Sequence, residues 1–262
     1  MAINRYIRLW WQFTTITTQV AFQSRFGAIV FLIGKFLRFG FFLLFLVLLV
    51  TKTKGIAGYS FWQVLFFFAT FNLLDSIPQF LWREVYRFRS YVMRGFFDYI
   101  ITKPVSPLFR CLFGGSDMLD LFILAASLFF VIYTGMHISG VTTFGIILYA
   151  LLIGNTLLIA LSLHIFVLAI GMLTTEVDNA IMLYRDLTQM GRVPVDVYQE
   201  PIRGFITFII PVGIMMTFPA KALMGFLSFW NIAAAGMFGF LFFLFSLFLW
   251  RISLKRYSSV SS

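Results

Sequence analysis

Six runs of about 20 mostly apolar residues divide the chain, a length that lets a helix rising 1.5 Å per residue cross a bilayer core of about 30 Å. They fall at 29–50, 60–82, 112–134, 142–172, 203–218 and 229–250. Charged residues occupy 11% of the 262 positions and phenylalanine fills 36, where an ordinary globular domain carries about 25% charge. A water-soluble core cannot hide that much apolar surface. The expected fold is therefore an all-α membrane protein with six transmembrane helices, one domain over 1–262. The fourth run is over-long and should tilt or project beyond the lipid. The fifth is short, holds Pro211 and Gly213 and stops at Pro219, so 219–228 is expected to be a broken or re-entrant outer segment.

Orientation follows from the basic residues. With the N-terminus inside, 17 of the 20 lysines and arginines fall on the inner side, leaving Lys52, Lys54 and Lys221 outside, the asymmetry expected of cytoplasmic loops. Lys35 and Arg38, near the inner end of the first span, should snorkel to the interface. This distribution accounts for the net charge of +10 without nucleic acid. Trp62 with Trp82 and Trp230 with Trp250 bracket the second and sixth spans, as interfacial indoles would. Residues 1–24 lack the features of a cleavable signal peptide. They suit an interfacial amphipathic helix with Ile3, Tyr6, Ile7 and Trp10 on one face and Arg5, Arg8 and Gln12 on the other.

Motifs for bond chemistry are missing. Cys111 is the single cysteine and the two histidines are scattered, so neither a disulfide nor a metal cage is expected. No phosphate loop, HExxH or GxSxG occurs. The chain is read as a non-enzyme with no catalytic residues and no cofactor of its own.

Asp75, in FNLLDSIPQF, needs explaining most, because a carboxyl at that depth is costly unless partnered or hydrated. With Asn72 one turn earlier it either faces a polar translocation cavity or proton path, or joins a neighbouring helix and holds the bundle. His164 is a weaker pathway candidate, with a buried, hydrogen-bonded ring as its other reading. Asp117 and Asp120 fall in the first turns of the third span, where the helix dipole favours negative charge. Ala235 and Gly239 form a small-xxx-small pair suited to close helix contact.

The inner segment 83–111 is too long for a turn and too short for a domain. A helix is expected from about Glu84 to Ile101, after which Pro104 and Pro107 force an extended return. A basic loop on anionic headgroups explains its charges. A docking element for a cytoplasmic partner also explains the interleaved aromatics and paired prolines. Its contact residues are taken as Arg94, Phe96, Asp98, Tyr99, Lys103, Pro104 and Pro107.

DYIITKPVSPLF at 98–109, IPVGIMMTFPAKALMG at 210–225, the tail KRYSSVSS at 255–262 and the helix preceding six spans together resemble the permease subunits of type-2 ATP-binding-cassette exporters, in a subgroup encoded as pairs. The resemblance implies a half-transporter in the bacterial plasma membrane with both termini cytoplasmic. It implies a coupling helix within 83–111 that docks on a separate ATPase, which uses ATP and Mg, and a second permease chain, identical or different. It further implies re-entrant outer helices over 219–228 and export, here of an apolar or amphipathic compound. An ion-coupled carrier acting through Asp75 is the competing reading, and a membrane enzyme or assembly factor a third.

Overall fold

The computed structural model describes residues 2–174 and 177–257; Ser258–Ser262 of the polar tail lie outside the described residues. No strand occurs among them, and the chain is a bundle of helices. Four helices are long and apolar enough to cross a membrane: α2 (Arg25–Thr53), α3 (Phe61–Leu81), α8 (Thr143–Thr174) and α12 (Phe229–Arg256). α7 (Asp120–Met136) is apolar but only 17 residues long.

α3 is the central helix. It is apolar on every side and twelve of its residues are buried, as expected of a helix enclosed by others, and it packs most extensively on α7. α8 and α12 form the other main seam. On α12 the buried positions are Ala235, Gly239, Ser246, Trp250 and Ser253, one face spaced by three, four or seven residues, small except for Trp250, that lets the backbones approach. Asn155 Nδ2 donates to the Ala235 carbonyl at 3.0 Å, and a Cβ on Gly239 would lie 2.1 Å from Asn155 Oδ1. The phenylalanines at 240, 245 and 248 point outward.

α1 (Ala2–Gln23) lies along the segment between α3 and α7 rather than apart from the bundle. Trp10 Nε1 donates to Ser116 Oγ at 2.9 Å, the Ser116 amide donates to Thr14 Oγ1 and Thr17 Oγ1 to the Ser116 carbonyl. Tyr6 and Trp10 thus face protein, while Ile3, Ile7 and Trp11 stay exposed. Arg5, expected to point away, donates to the Pro104 carbonyl at 2.9 Å.

Several boundaries differ from expectation, each for a local reason. The third helix starts at Asp120 rather than near 112, because α1 side chains bond the irregular backbone at Ser116 and Asp117 Oδ1 accepts from the Leu119 amide. The single helix expected from Glu84 to Ile101 is a 3-10 turn (Arg83–Arg87) followed by α4 (Phe88–Met93) and α5 (Phe96–Ile101). The chain turns between α4 and α5 at Gly95, whose φ of 70° costs glycine least. α6 (Pro107–Phe113) opens with Ser106 as N-cap and Pro107 in its first turn, the favoured start of a helix.

The largest difference lies at 202–223. Instead of one span over 203–218 followed by a break, two arms, Ile202–Ile209 and Gly213–Leu223, meet at Ile210–Val212 with a bend of 81°. The first arm includes α10 (Ile202–Gly204) and the second ends in α11 (Phe218–Leu223), with π-helical turns at Phe205–Ile209 and Gly213–Thr217. Pro211, which lacks an amide proton and fixes φ, sits in the bend. Pro219 sits in the first turn of α11 and does not break the second arm. The bend packs deep in the bundle: Thr156 of α8 donates to the Met215 carbonyl at 2.8 Å, and a Cβ on Gly191 would meet the Met216 side chain at 2.7 Å.

Tryptophans 82 and 250, expected to bracket their spans at the interfaces, pack against protein instead of standing open. Both are buried, Trp82 against His164 at 5.2 Å between ring centroids.

Candidate functional site

Two polar constellations stand out in this apolar bundle. The first is built on α4, α5 and α6. Glu84, only 1% exposed, accepts from Arg110 Nη1 at 2.7 Å, Arg87 Nη1 at 3.1 Å and the Tyr91 hydroxyl at 2.5 Å. Burial and the adjacent Glu84 carboxylate push the Tyr91 phenol up to about 12. Phe97, fully buried, packs edge-on against Phe88 at 5.2 Å and Tyr257 at 5.0 Å, so the end of α12 clamps α5. Tyr6 packs on Phe109 at 4.6 Å and accepts from the Ser106 amide.

On this base the predicted contact residues divide. Arg94, Phe96, Tyr99, Lys103 and Pro104 are exposed along one surface with Met93 and Ile101, Phe96 at 51% and Tyr99 at 68%. Asp98 and Pro107 are half-buried. Burial and the Asp98 carboxyl together push the Tyr257 phenol up to about 12, so Asp98 faces the body of the protein. α5 is thus a short helix with one buried aromatic anchor, Phe97, and exposed aromatic side chains, Phe96 and Tyr99, flanked in sequence by Arg94 and Lys103.

The second constellation lies between α2, α3 and α7, close to the end of α3 that leads into the first. A cavity of about 60 Å³ is bordered by Lys35, Arg38, Asn72, Asp75, Gln79, Asp120 and Arg192, and by Phe39, Phe42, Phe68 and Phe71. At about 10–15 Å³ per water it holds a few waters or one small polar group, not a drug-sized molecule. Asp75 accepts from Gln79 Nε2 at 2.8 Å, and Asn72 donates to the Phe68 carbonyl at 2.7 Å. Lys35 is paired with Asp120, whose carboxyl also lies 3.9 Å from Arg83. Arg38 donates to Gln189 Oε1 at 2.7 Å, and the Arg192 guanidinium lies over Phe42 at 5.0 Å.

The structure thus brings Asn72 and Asp75 together and leaves His164 elsewhere. The His164 ring is buried, with Nδ1 2.7 Å from the Ala160 carbonyl, between Trp82 and Tyr184. Lys35 and Arg38 do not simply snorkel outward; they engage Asp120 and Gln189. Sequence reasoning missed Arg192, treated as a loop cation, and Glu84, which its spacing from Arg87 and Tyr91 on one helical face could have flagged. It also missed a third cluster at the far end of the bundle, where Asp196 accepts from Lys221 Nζ at 2.7 Å and from the Tyr59 hydroxyl at 2.9 Å.

No group of three or more metal-ligating side chains occurs among the described residues. Neither a curated protein nor a solved structure matches the chain. The family described as ABC-2 family transporter protein matches over residues 36–261, a stretch that leaves out α1 and takes in both constellations apart from Tyr6 and Lys35. The chain belongs to the ABC-2 transporter family and is a multi-pass membrane permease of that family, whose ATP hydrolysis falls to separate ATPase subunits.

Proposed function

We propose that this chain is half of the membrane pathway of an exporter in a bacterial plasma membrane. Together with a second permease chain and two cytoplasmic ATPase subunits, it moves an apolar or amphipathic compound outward. α5 is the coupling helix, and Phe96, Tyr99, Lys103 and Pro104 form its contact with the ATPase. The observation that carries this reading is the exposed aromatic face of α5 held on a buried anchor, Phe97. ATP-driven closure of the partner pulls on α5 and, through Phe88, Tyr257 and the Glu84 cluster, rocks the bundle. The 60 Å³ cavity in one chain is too small for such a cargo, which supports a pathway enclosed between two permease chains. The decisive experiment pairs Phe96→Ala with Tyr99→Ala and measures copurification of the ATPase and its stimulated turnover. Loss of both with the permease still folded is expected, and undiminished coupling would sink the assignment.

The path of the chain follows from parity. α1 packs on the segment 104–116 and Tyr257 packs on Phe97, so both ends of the described chain meet one face, which we take as cytoplasmic. α2, α3, α7, α8 and α12 supply five crossings, and a sixth is needed between α8 and α12. We assign it to α9 (Val177–Gln189) and the residues up to Val197, which reach about 30 Å at helical and extended rises. Asp196 then sits outside with Tyr59 and Lys221, and the bent pair 202–223 dips into the membrane from the outer face. Arg203 moves outside and Arg192 into the membrane, which revises the charge partition expected from sequence. A cysteine introduced at Arg203 should react with an impermeant maleimide added outside intact cells, against low background because Cys111 is buried. Labelling only after lysis would instead make 202–223 the fifth span.

A further inference from the structure

The cavity between α2, α3 and α7 carries an excess of positive charge. Three cations and two carboxyls border it. Lys35 and Asp120 are paired, which leaves the guanidiniums of Arg38 and Arg192 with one further carboxyl on the cavity wall, Asp75. Among the described residues neither guanidinium lies within ion-pair distance of an acid. Arg38 bonds only a neutral amide, Gln189, and Arg192 rests on the rings of Phe42 and Phe71. Charge within a membrane-spanning bundle is costly unless partnered, and where it persists it marks function. Arginine is suited to an oxyanion, because its planar fork offers paired donors that match phosphate or carboxylate oxygens.

The setting limits what such an anion belongs to. Arg38 is exposed at the mouth and also borders a wider, open depression of about 300 Å³ with Met182, Arg185, Asp186 and Gln189. Phe39, Phe42, Phe68 and Phe71 form the apolar side of the inner cavity. We propose that Arg38 and Arg192 form a binding site for the anionic oxyacid head group of an amphiphile, with the apolar part of that molecule lying along the half-buried Phe39 and Phe42 of α2. The inference deepens the export reading above, since it names the chemistry of the cargo's polar end. Asp75 tunes the site: a carboxyl beside the two guanidiniums competes with the anion and weakens its hold, so that a bound head group can leave.

The test uses the full chain in neutral maltoside detergent and native mass spectrometry, with dioleoyl phosphatidylglycerol and dioleoyl phosphatidylcholine in equal amounts as probes. The wild-type protein should retain the anionic lipid about tenfold over the zwitterionic one, the scale of one or two charge-assisted hydrogen bonds. Arg38→Gln with Arg192→Gln should bring that ratio close to one, with phosphatidylcholine retention unchanged as evidence of an intact fold. Arg251→Gln with Lys255→Gln, which removes exposed charge at the end of α12, should leave the preference in place. A preference that survives in the double arginine variant, or vanishes in the α12 control, overturns the site. Inorganic phosphate that displaces phosphatidylglycerol at equal concentration makes the ligand a free anion and overturns the amphiphile. Binding is read on the permease alone, so failure of an ATPase to assemble tells against the coupling assignment and not against this site.

Discussion

Glu84 and Asp75 are both carboxyls set among arginines, yet the protein treats them in opposite ways. Glu84 is 1% exposed and every neighbour is bonded to it: two guanidiniums and a phenol within 3.1 Å. Asp75 lines a cavity, is bonded only by the amide of Gln79, and has Arg38 and Arg192 near it without an ion pair. The contrast separates two uses of charge in one apolar bundle. A satisfied cluster holds α4 to α6 in a single arrangement, because breaking it leaves buried charge uncompensated. An unsatisfied cluster keeps binding capacity in reserve.

The largest effect should come from breaking the satisfied side. Glu84→Ala strands three donors, and because Arg87 and Arg110 are partly exposed and can rehydrate, the loss is expected near the low end for buried pairs, about 3 kcal/mol. Thermal unfolding of the purified permease measures it, and ATPase stimulation should fall with it as α4 to α6 loosen. Tyr91→Phe removes one of the three bonds and should cost about 1.5 kcal/mol. This variant also has a pH signature. The folded Tyr91 phenol is raised from 10 to about 12, so its contribution is present in full below about pH 10 and lost as pH rises to about 12. The stability gap between wild type and Tyr91→Phe should close over that window; a gap constant from pH 8 to 12 would mean that Tyr91 does not hold Glu84 through its proton.

The smallest effect on stability is expected at Asp75. Asp75→Asn keeps a hydrogen-bonding partner for Gln79 and should shift stability by less than about 1 kcal/mol. It removes negative charge beside two guanidiniums, so retention of anionic lipid should rise by about tenfold at an effective dielectric near 20. A large loss of stability with no gain in anion retention would make Asp75 a second Glu84 and erase the distinction.

How far these features could be read from sequence depended on whether local pattern or tertiary partner decided them. α2, α3, α8 and α12 were legible because each is a helix of at least 21 residues that holds a long, mostly apolar stretch. The start of α7 was not, since α1 side chains 99 to 106 positions away determine the backbone at Ser116. The bend at 210–212 escaped because hydropathy measures how oily a segment is and carries no sign of an 81° turn. α9 was invisible as a crossing because Arg185, Asp186 and Gln189 give it the polarity of a loop; on the proposed path they border the open depression beside Arg38. Asp75 was conspicuous as an acid within an apolar run, whereas Arg38 and Arg192 were hidden among cations that snorkelling or a loop would explain. The proposed docking residues Phe96, Tyr99 and Lys103 are exposed, whereas Asp98 is half-buried beside Tyr257, 159 residues away, a partner that local sequence does not reveal.

The central claim is that force enters this permease through α5. A photoreactive phenylalanine analogue placed at Tyr99, on the exposed face, measures this directly in cells that express the whole transporter. An ultraviolet-dependent crosslink from position 99 to the ATPase subunit is expected, and none from the same analogue at Tyr133, near the far end of α7. A crosslink to the ATPase from position 133, or its absence at position 99 in an assembled and active complex, would contradict the claim.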